Sequence, residues 1–171
     1  MYEDLKIVLF PDPRLKKVST EVGAFDDQLK ALVARMFELM RENRGVGLAA
    51  PQVGHNLRLF VINPTGEPTD DRVYVNPVLT ELSDVEEEAE EGCLSLPQLN
   101  VDVFRNKTVR IQARDLEGNP FEQTETGYVA RIWQHENDHL DGILITDKMG
   151  PVARIANRKL LKDLEERYGK K

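Results

Sequence analysis

In His135-Glu136-Asn137-Asp138-His139 two imidazoles stand four residues apart, with a carboxylate beside the first. A helix rises about 1.5 Å per residue, so an i, i+4 pair lies about one turn apart on one face, where both rings reach a single ion. A divalent ion held there lowers the pKa of a bound water and makes a nucleophile near neutral pH, provided one coordination position stays open. Glu136 shares the helix and is placed to move a proton rather than to bind. Two imidazoles leave one protein ligand to be found.

No histidine follows His139. Glu165 or Glu166 could complete the site and give an endopeptidase, although both sit in a basic stretch beside Arg167, where solvated ion pairs are the ordinary role. The other candidate is Cys93, the only cysteine, in Glu91-Gly92-Cys93-Leu94-Ser95-Leu96-Pro97. Glycine there permits close backbone approach and proline interrupts regular pairing. A thiolate ligand would lower the net charge of the site and make it sensitive to oxidation.

Several elements must position these groups. Apolar residues at Leu29, Leu32, Val33, Met36, Phe37 and Met40 predict a helix over 26–44, capped by Asp26 or Asp27 and ended by Gly45 in a left-handed conformation. Residues 45–52, Gly-Val-Gly-Leu-Ala-Ala-Pro-Gln, read as a loop of small residues. Strands are expected over 57–62 and 73–78, and alternation over 109–113 with the turn at 117–120 predicts an antiparallel hairpin returning to Phe121. A second helix should run from near Thr126 through His139 and stop at Gly142, followed by a short strand over 143–146. A third is expected from Pro151 to about Tyr168. The fold class is α+β: antiparallel sheets packed around a central metal-binding helix, with one further helix in the N-terminal half and one at the C-terminus.

The 171 residues suit a single domain over 1–171 with one proper core. Net charge is −7, which argues against a general nucleic-acid binder and against DNA as partner. Residues 151–171 depart from that mean, with seven basic residues against three acidic ones. That helix is either a solvated face or a docking element. A lone cysteine forms no internal disulfide, and no charged-then-apolar leader or long apolar run occurs, so the expected location is cytoplasmic, with no membrane association.

Residues 45–52, Glu91-Gly92-Cys93-Leu94-Ser95 and Gln134-His135-Glu136-Asn137-Asp138-His139 together resemble, in order and intact, the three signature motifs of the peptide deformylase family. The resemblance implies a metal held by Cys93, His135 and His139, with Glu136 as general base and acid and the Gln52 amide and Leu94 N–H as donors to the developing oxyanion. It implies Fe(II) in the cell, with zinc, nickel or cobalt in purified protein. The implied reaction is hydrolysis of the formyl group from N-formylmethionyl nascent peptides, releasing formate. By the same matching Gly45, Val46, Gly47, Ala89, Glu91, Tyr128, Arg131 and Ile132 would surround the substrate, the stem of Arg131 serving as wall. Many family members have an arginine where this chain has Asn100, so contacts beyond methionine should differ. The family also implies ribosome docking through the basic C-terminal helix, and a monomer is expected.

Other residues invite simpler readings. His55 is expected in a turn, not at the metal, and Trp133 in the core. Asp138 is read either as helical surface or as a buried hydrogen-bond partner that fixes a loop or ligand shell, and Glu86 to Glu88 as solvated surface.

Overall fold

Seven apolar side chains between Leu29 and Met40 form the buried face of helix α1 (Asp27–Glu42). The computed structural model describes residues 1–169. Asp26 caps α1 by accepting from the Leu29 N–H at 3.0 Å. The helix ends differently from expectation. Arg44, not Gly45, adopts the left-handed conformation, with φ of 57°. Gly45 serves in another way: a Cβ there would sit 2.8 Å from Leu94 Cδ1 and push that side chain aside.

Residues 45–52 are also more regular than a loop. Gly47–Ala49 forms a short strand, β1, followed by a 3-10 turn over Ala50–Val53. β1 pairs with β2 (Leu59–Ile62), which pairs with β3 (Arg72–Glu81), and the hairpin β6 (Thr108–Arg114) and β7 (Pro120–Thr126) completes the sheet. Its order is β1-β2-β3-β6-β7, antiparallel throughout.

The acidic run belongs to a second sheet. β4 (Glu86–Cys93) and β5 (Leu96–Asn106) form a two-stranded hairpin whose tight turn carries Leu94 and Ser95. On β5 burial alternates strictly from Leu99 through Val101 and Val103 to Arg105. Near its tip the register jumps from Gly92↔Asn100 to Cys93↔Leu96, and Gln98 takes φ of 68°. Extra residues on β5 bend the hairpin end, a bulge that aims Cys93 away from a regular ladder.

Helix α2 (Tyr128–Leu140) runs between the two sheets. Ala130, Ile132, Trp133, Glu136, His139 and Leu140 are buried along it. Trp133 is fully enclosed and meets Tyr74 edge-on at 5.6 Å between ring centroids. Enclosing a ring of that size contributes about 4–6 kcal/mol before ordering entropy, which is why the helix is central.

Two expectations after α2 need correction. Residues 143–146 do not form a strand; a 3-10 turn spans Ile145–Asp147, because Asp147 bonds back to the Leu144 N–H at 2.9 Å. The C-terminal helix is divided into α3 (Pro151–Ala156) and α4 (Arg158–Tyr168) at Asn157, whose side-chain amide donates to the Ala153 carbonyl at 2.8 Å. α4 contributes Leu164 to the buried cluster that also holds Val8, Leu15, Leu144 and the inward side chains of β5. Lys170 and Lys171, part of the basic tail, lie outside the described residues.

Candidate metal centre

The site forms where the tip of the β4–β5 hairpin meets α2. Cys93 Sγ lies 3.4 Å from His139 Nε2, and ligand atoms of Cys93, His135 and His139 all fall within 4.8 Å of one another. Among the described residues this is the group able to hold an ion. Glu165 and Glu166 stand exposed on α4.

Each imidazole has a distinct environment. His135 Nδ1 is bonded at 2.8 Å to Glu91, which turns Nε2 toward the thiol. Burial opposes its charge, but the hydrogen bonds to Cys93 and Glu91 outweigh it and hold its pKa well above the ordinary value. His139 moves the other way: burial, with the nearby charges of His135 and Arg105, keeps it well below. A neutral ring is the form that ligates a metal.

Glu91 is itself fixed on three sides. Arg105 donates two hydrogen bonds to it, at 3.0 and 2.9 Å, and Arg131 a third at 2.6 Å. Burial would raise its pKa, yet His135 and Arg105 win and hold it well below the usual carboxylate range. Arg105 also reaches Asp138 at 2.5 Å, so one guanidinium serves both the partner of His135 and the neighbour of His139. A carboxylate on the remote nitrogen of a ligand histidine fixes its tautomer and ring orientation. Glu91 therefore positions His135, and Arg131, tied also to the Glu87 and Val103 carbonyls, braces the hairpin against α2.

Gln134 adds a second brace. Its amide donates to the Asn106 carbonyl at 2.9 Å and accepts from the Asn106 N–H at 3.0 Å, closing the end of β5 onto the helix.

Gln52 is 1% exposed. Its oxygen accepts from the Ala49 N–H at 3.0 Å, which forces Nε2 inward, 3.1 Å from Ser95 Oγ and 3.4 Å from Cys93 Sγ. One amide hydrogen is thus held by Ser95 while the other points into the site.

Glu136 is also enclosed, with Oε1 3.9 Å from His135 Nε2 and Oε2 without a hydrogen-bond partner among the described residues. Burial leads the forces on it, and its pKa is pushed up to about 7. Gly47 makes room, since a Cβ there would meet Glu136 Oε1 at 2.7 Å.

A cavity of about 370 Å³ opens onto these groups. Gln52, Cys93, Leu94, His135 and Glu136 line it, as do Gly45, Val46, Gly47, Glu91, Tyr128, Arg131 and Ile132. Ala89 does not. It is exposed on β4, opposite Val103, so the structure leaves it out of the cavity. Arg44, Glu90 and Leu99 line the cavity without having been singled out from the sequence, and Asn100, marked there as a departure from the family, lines it too. Arg105 lies outside the motifs, and Ser95, inside the second, was given no role although it holds the Gln52 amide. The inward alternation of Leu99, Val101, Val103 and Arg105 is the signal that could have found the arginine. Of the remaining expectations, Asp138 is bonded to Arg105 and His55 packs edge-on against Tyr2, away from the metal group.

A histidine pair on a helix, a thiol on a separate hairpin and a buried carboxylate beside them define a class: a hydrolase built around a metal site, on a mixed helix and antiparallel-sheet fold. Residues 4–154 match the family model described as polypeptide deformylase, and the chain belongs to that family. It is 43% identical over 169 residues to peptide deformylase 1B, chloroplastic/mitochondrial, of Arabidopsis thaliana, covering 98% of this chain and 62% of that protein. A peptide deformylase of a Thermotoga species is 42% identical over 93% of this chain and 95% of its own length. Among solved structures, a peptide deformylase from Plasmodium falciparum superimposes with a TM-score of 0.93 at 40% identity, covering 96% of this chain and 97% of that one. One from Legionella pneumophila gives 0.88 at 42% identity over 98% of each.

Proposed function

We propose that this chain removes the N-terminal formyl group from formylmethionyl nascent polypeptides, using a divalent metal held by Cys93, His135 and His139. The observation that carries the reading is the convergence of those three ligand atoms within 4.8 Å of one another, beside a cavity that Cys93, His135, Glu136 and Gln52 line. The donor set fits an ion: a thiol and two imidazoles meet in one place, one imidazole oriented from behind by Glu91. When bound, the ion supplies a Lewis acid and a water of lowered pKa. Thiolate and imidazole suit iron, zinc, cobalt or nickel, and Fe(II) is the cellular metal in this reading.

The protein groups then divide the work. Glu136, enclosed and unpaired at one oxygen, accepts the proton of the attacking water and delivers it to the leaving amine. As charge grows on the formyl oxygen, the inward hydrogen of Gln52 and the Leu94 backbone N–H stabilise it. Val46, Tyr128 and Ile132 give the cavity apolar surface for the methionine side chain, with the tethered stem of Arg131 beside them. Gly45 and Gly47, each closed to a Cβ by Leu94 and Glu136, keep the space near the reacting carbon small. A formyl carbon carries only hydrogen, so that narrowness excludes bulkier acyl groups. Glu91 acts on the substrate only through His135 and Arg131.

The same reading makes residues 1–171 a single catalytic domain, monomeric and cytoplasmic, whose basic C-terminal helices dock on the ribosome. No described helix is long and apolar enough to cross a membrane. Replacing Arg154, Arg158, Lys159 and Lys162 with Glu should weaken ribosome binding; unchanged binding removes docking from the proposal. The activity is tested by formate release from formyl-Met-Ala-Ser, with metal analysis on the same anaerobic preparation. Full occupancy with iron or nickel and no formate would overturn the assignment.

A further inference from the structure

Most charged groups that line the cavity are already engaged. Glu91 and Arg131 are bonded to each other, and His135 lies against Glu136. Arg44 and Glu90 are different. Both line the cavity, both are exposed, and neither has an ion-pair partner among the described residues. Arg44 follows α1 and Glu90 stands on β4, so the two charges belong to separate walls of the opening.

Backbone does not explain the arginine. Its φ of 57° is a conformation that Gly, Asn or Asp adopts at lower cost. The left-handed turn belongs to the end of α1, where the Arg44 N–H bonds the Arg41 carbonyl and the Gly45 N–H the Met40 carbonyl, and nothing in it calls for a long cation; Arg44 nevertheless lines the cavity at its exposed rim. Asn100, also lining the cavity, contributes hydrogen-bonding capacity without charge, so discrimination by charge falls to Arg44 and Glu90.

We propose that Arg44 and Glu90 make the mouth of the cavity charge-selective for the residues following formylmethionine, Arg44 favouring an acidic side chain and Glu90 a basic one. The inference rests on the deformylase reading and extends it to the substrate. In an extended peptide successive side chains point to opposite sides, so the two residues read neighbouring positions rather than competing for one. Exposed charge pairs are individually weak, which sets the expected preference at about two- to fivefold and makes it sensitive to salt.

The test compares kcat/KM for formyl-Met-Xaa-Ala-Ser and formyl-Met-Ala-Xaa-Ser with Xaa as Asp, Asn or Lys, at low and high ionic strength, using metal-loaded enzyme. Arg44→Asn and Arg44→Asp are suitable variants because both residues tolerate the left-handed backbone, and Glu90→Gln removes the opposing charge. The expected result is an Asp-over-Lys ratio of about two to five at one position, lost in Arg44→Asn, inverted in Arg44→Asp and reduced by salt. Glu90→Gln should change the Lys preference at the adjacent position, and Arg44→Lys should keep the acidic one. Formate release with the same ratios in the wild type and in a folded, metal-loaded Arg44→Asp enzyme overturns the charge-selective mouth alone. No formate from any peptide with the wild type overturns the deformylase reading, and this inference with it.

Discussion

Glu136 shares its helix with both imidazoles but is assigned to proton transfer rather than ligation. Glu136→Ala should therefore abolish formate release, by at least about a hundredfold, while metal content per chain stays unchanged. Loss of the metal together with activity would move Glu136 into the ligand set. Arg105 matters in another way. Removing it leaves Glu91 charged and enclosed without its main partner, so Arg105→Met should destabilise the protein by about 3–5 kcal/mol in urea denaturation and speed loss of metal to a chelator. Adding Glu91→Gln should recover much of the stability, because the uncompensated charge is gone. At this scale the sequence was most readable in its spaced motifs, whose Cys93, His135 and His139 do come together in the fold. Arg105 escaped because the alternation along β5 marks it only as inward-facing, while its importance comes from meeting Glu91 and Asp138 across two elements, which no local pattern shows.

Helices with a continuous apolar stripe were readable to within a few residues, as α1 shows. Breaks without glycine or proline were not. The stripe runs on through residues 151–168, and only the side-chain bond from Asn157 to Ala153 reveals the division into α3 and α4. The turn over Ile145–Asp147 has the same character, since four apolar or β-branched residues suggest a strand until Asp147 closes back on Leu144. That contact carries a pH dependence. Partial burial raises the pKa of Asp147, but the Leu144 N–H and Lys16 outweigh it and leave it below the ordinary value. A lowered carboxylate stabilises the fold above its unfolded pKa of about 3.9, and the contribution disappears as pH falls through the folded value. Asp147→Asn should thus be less stable than wild type at neutral pH, with the gap closing below about pH 4. A constant gap in denaturation midpoints across that range would remove this role.

Across the whole molecule, the α+β class follows from local patterns, whereas the sheet order and the separate β4–β5 hairpin depend on pairings between distant segments. One buried cluster holds the apolar face of α2 and another the inward face of β5, and the metal group lies where that helix meets the tip of the β4–β5 hairpin. An ion there joins β4 to α2, so it binds the folded chain far better than the unfolded one. Chelation should lower the melting temperature by several degrees, scaling with metal concentration and affinity, and Cys93→Ala should show little further response. An equal response in that variant would place the stabilising ion elsewhere.

The separation of the ligands along the chain has a consequence for the unfolded state. Cys93 and His139 are 46 residues apart. While an ion keeps hold of both, the chain between them is a closed ring, and on the loop-entropy view such a ring removes about 4 kcal/mol of freedom from the denatured chain. The ion then behaves as a reversible staple, one that chelators can open and reductants cannot.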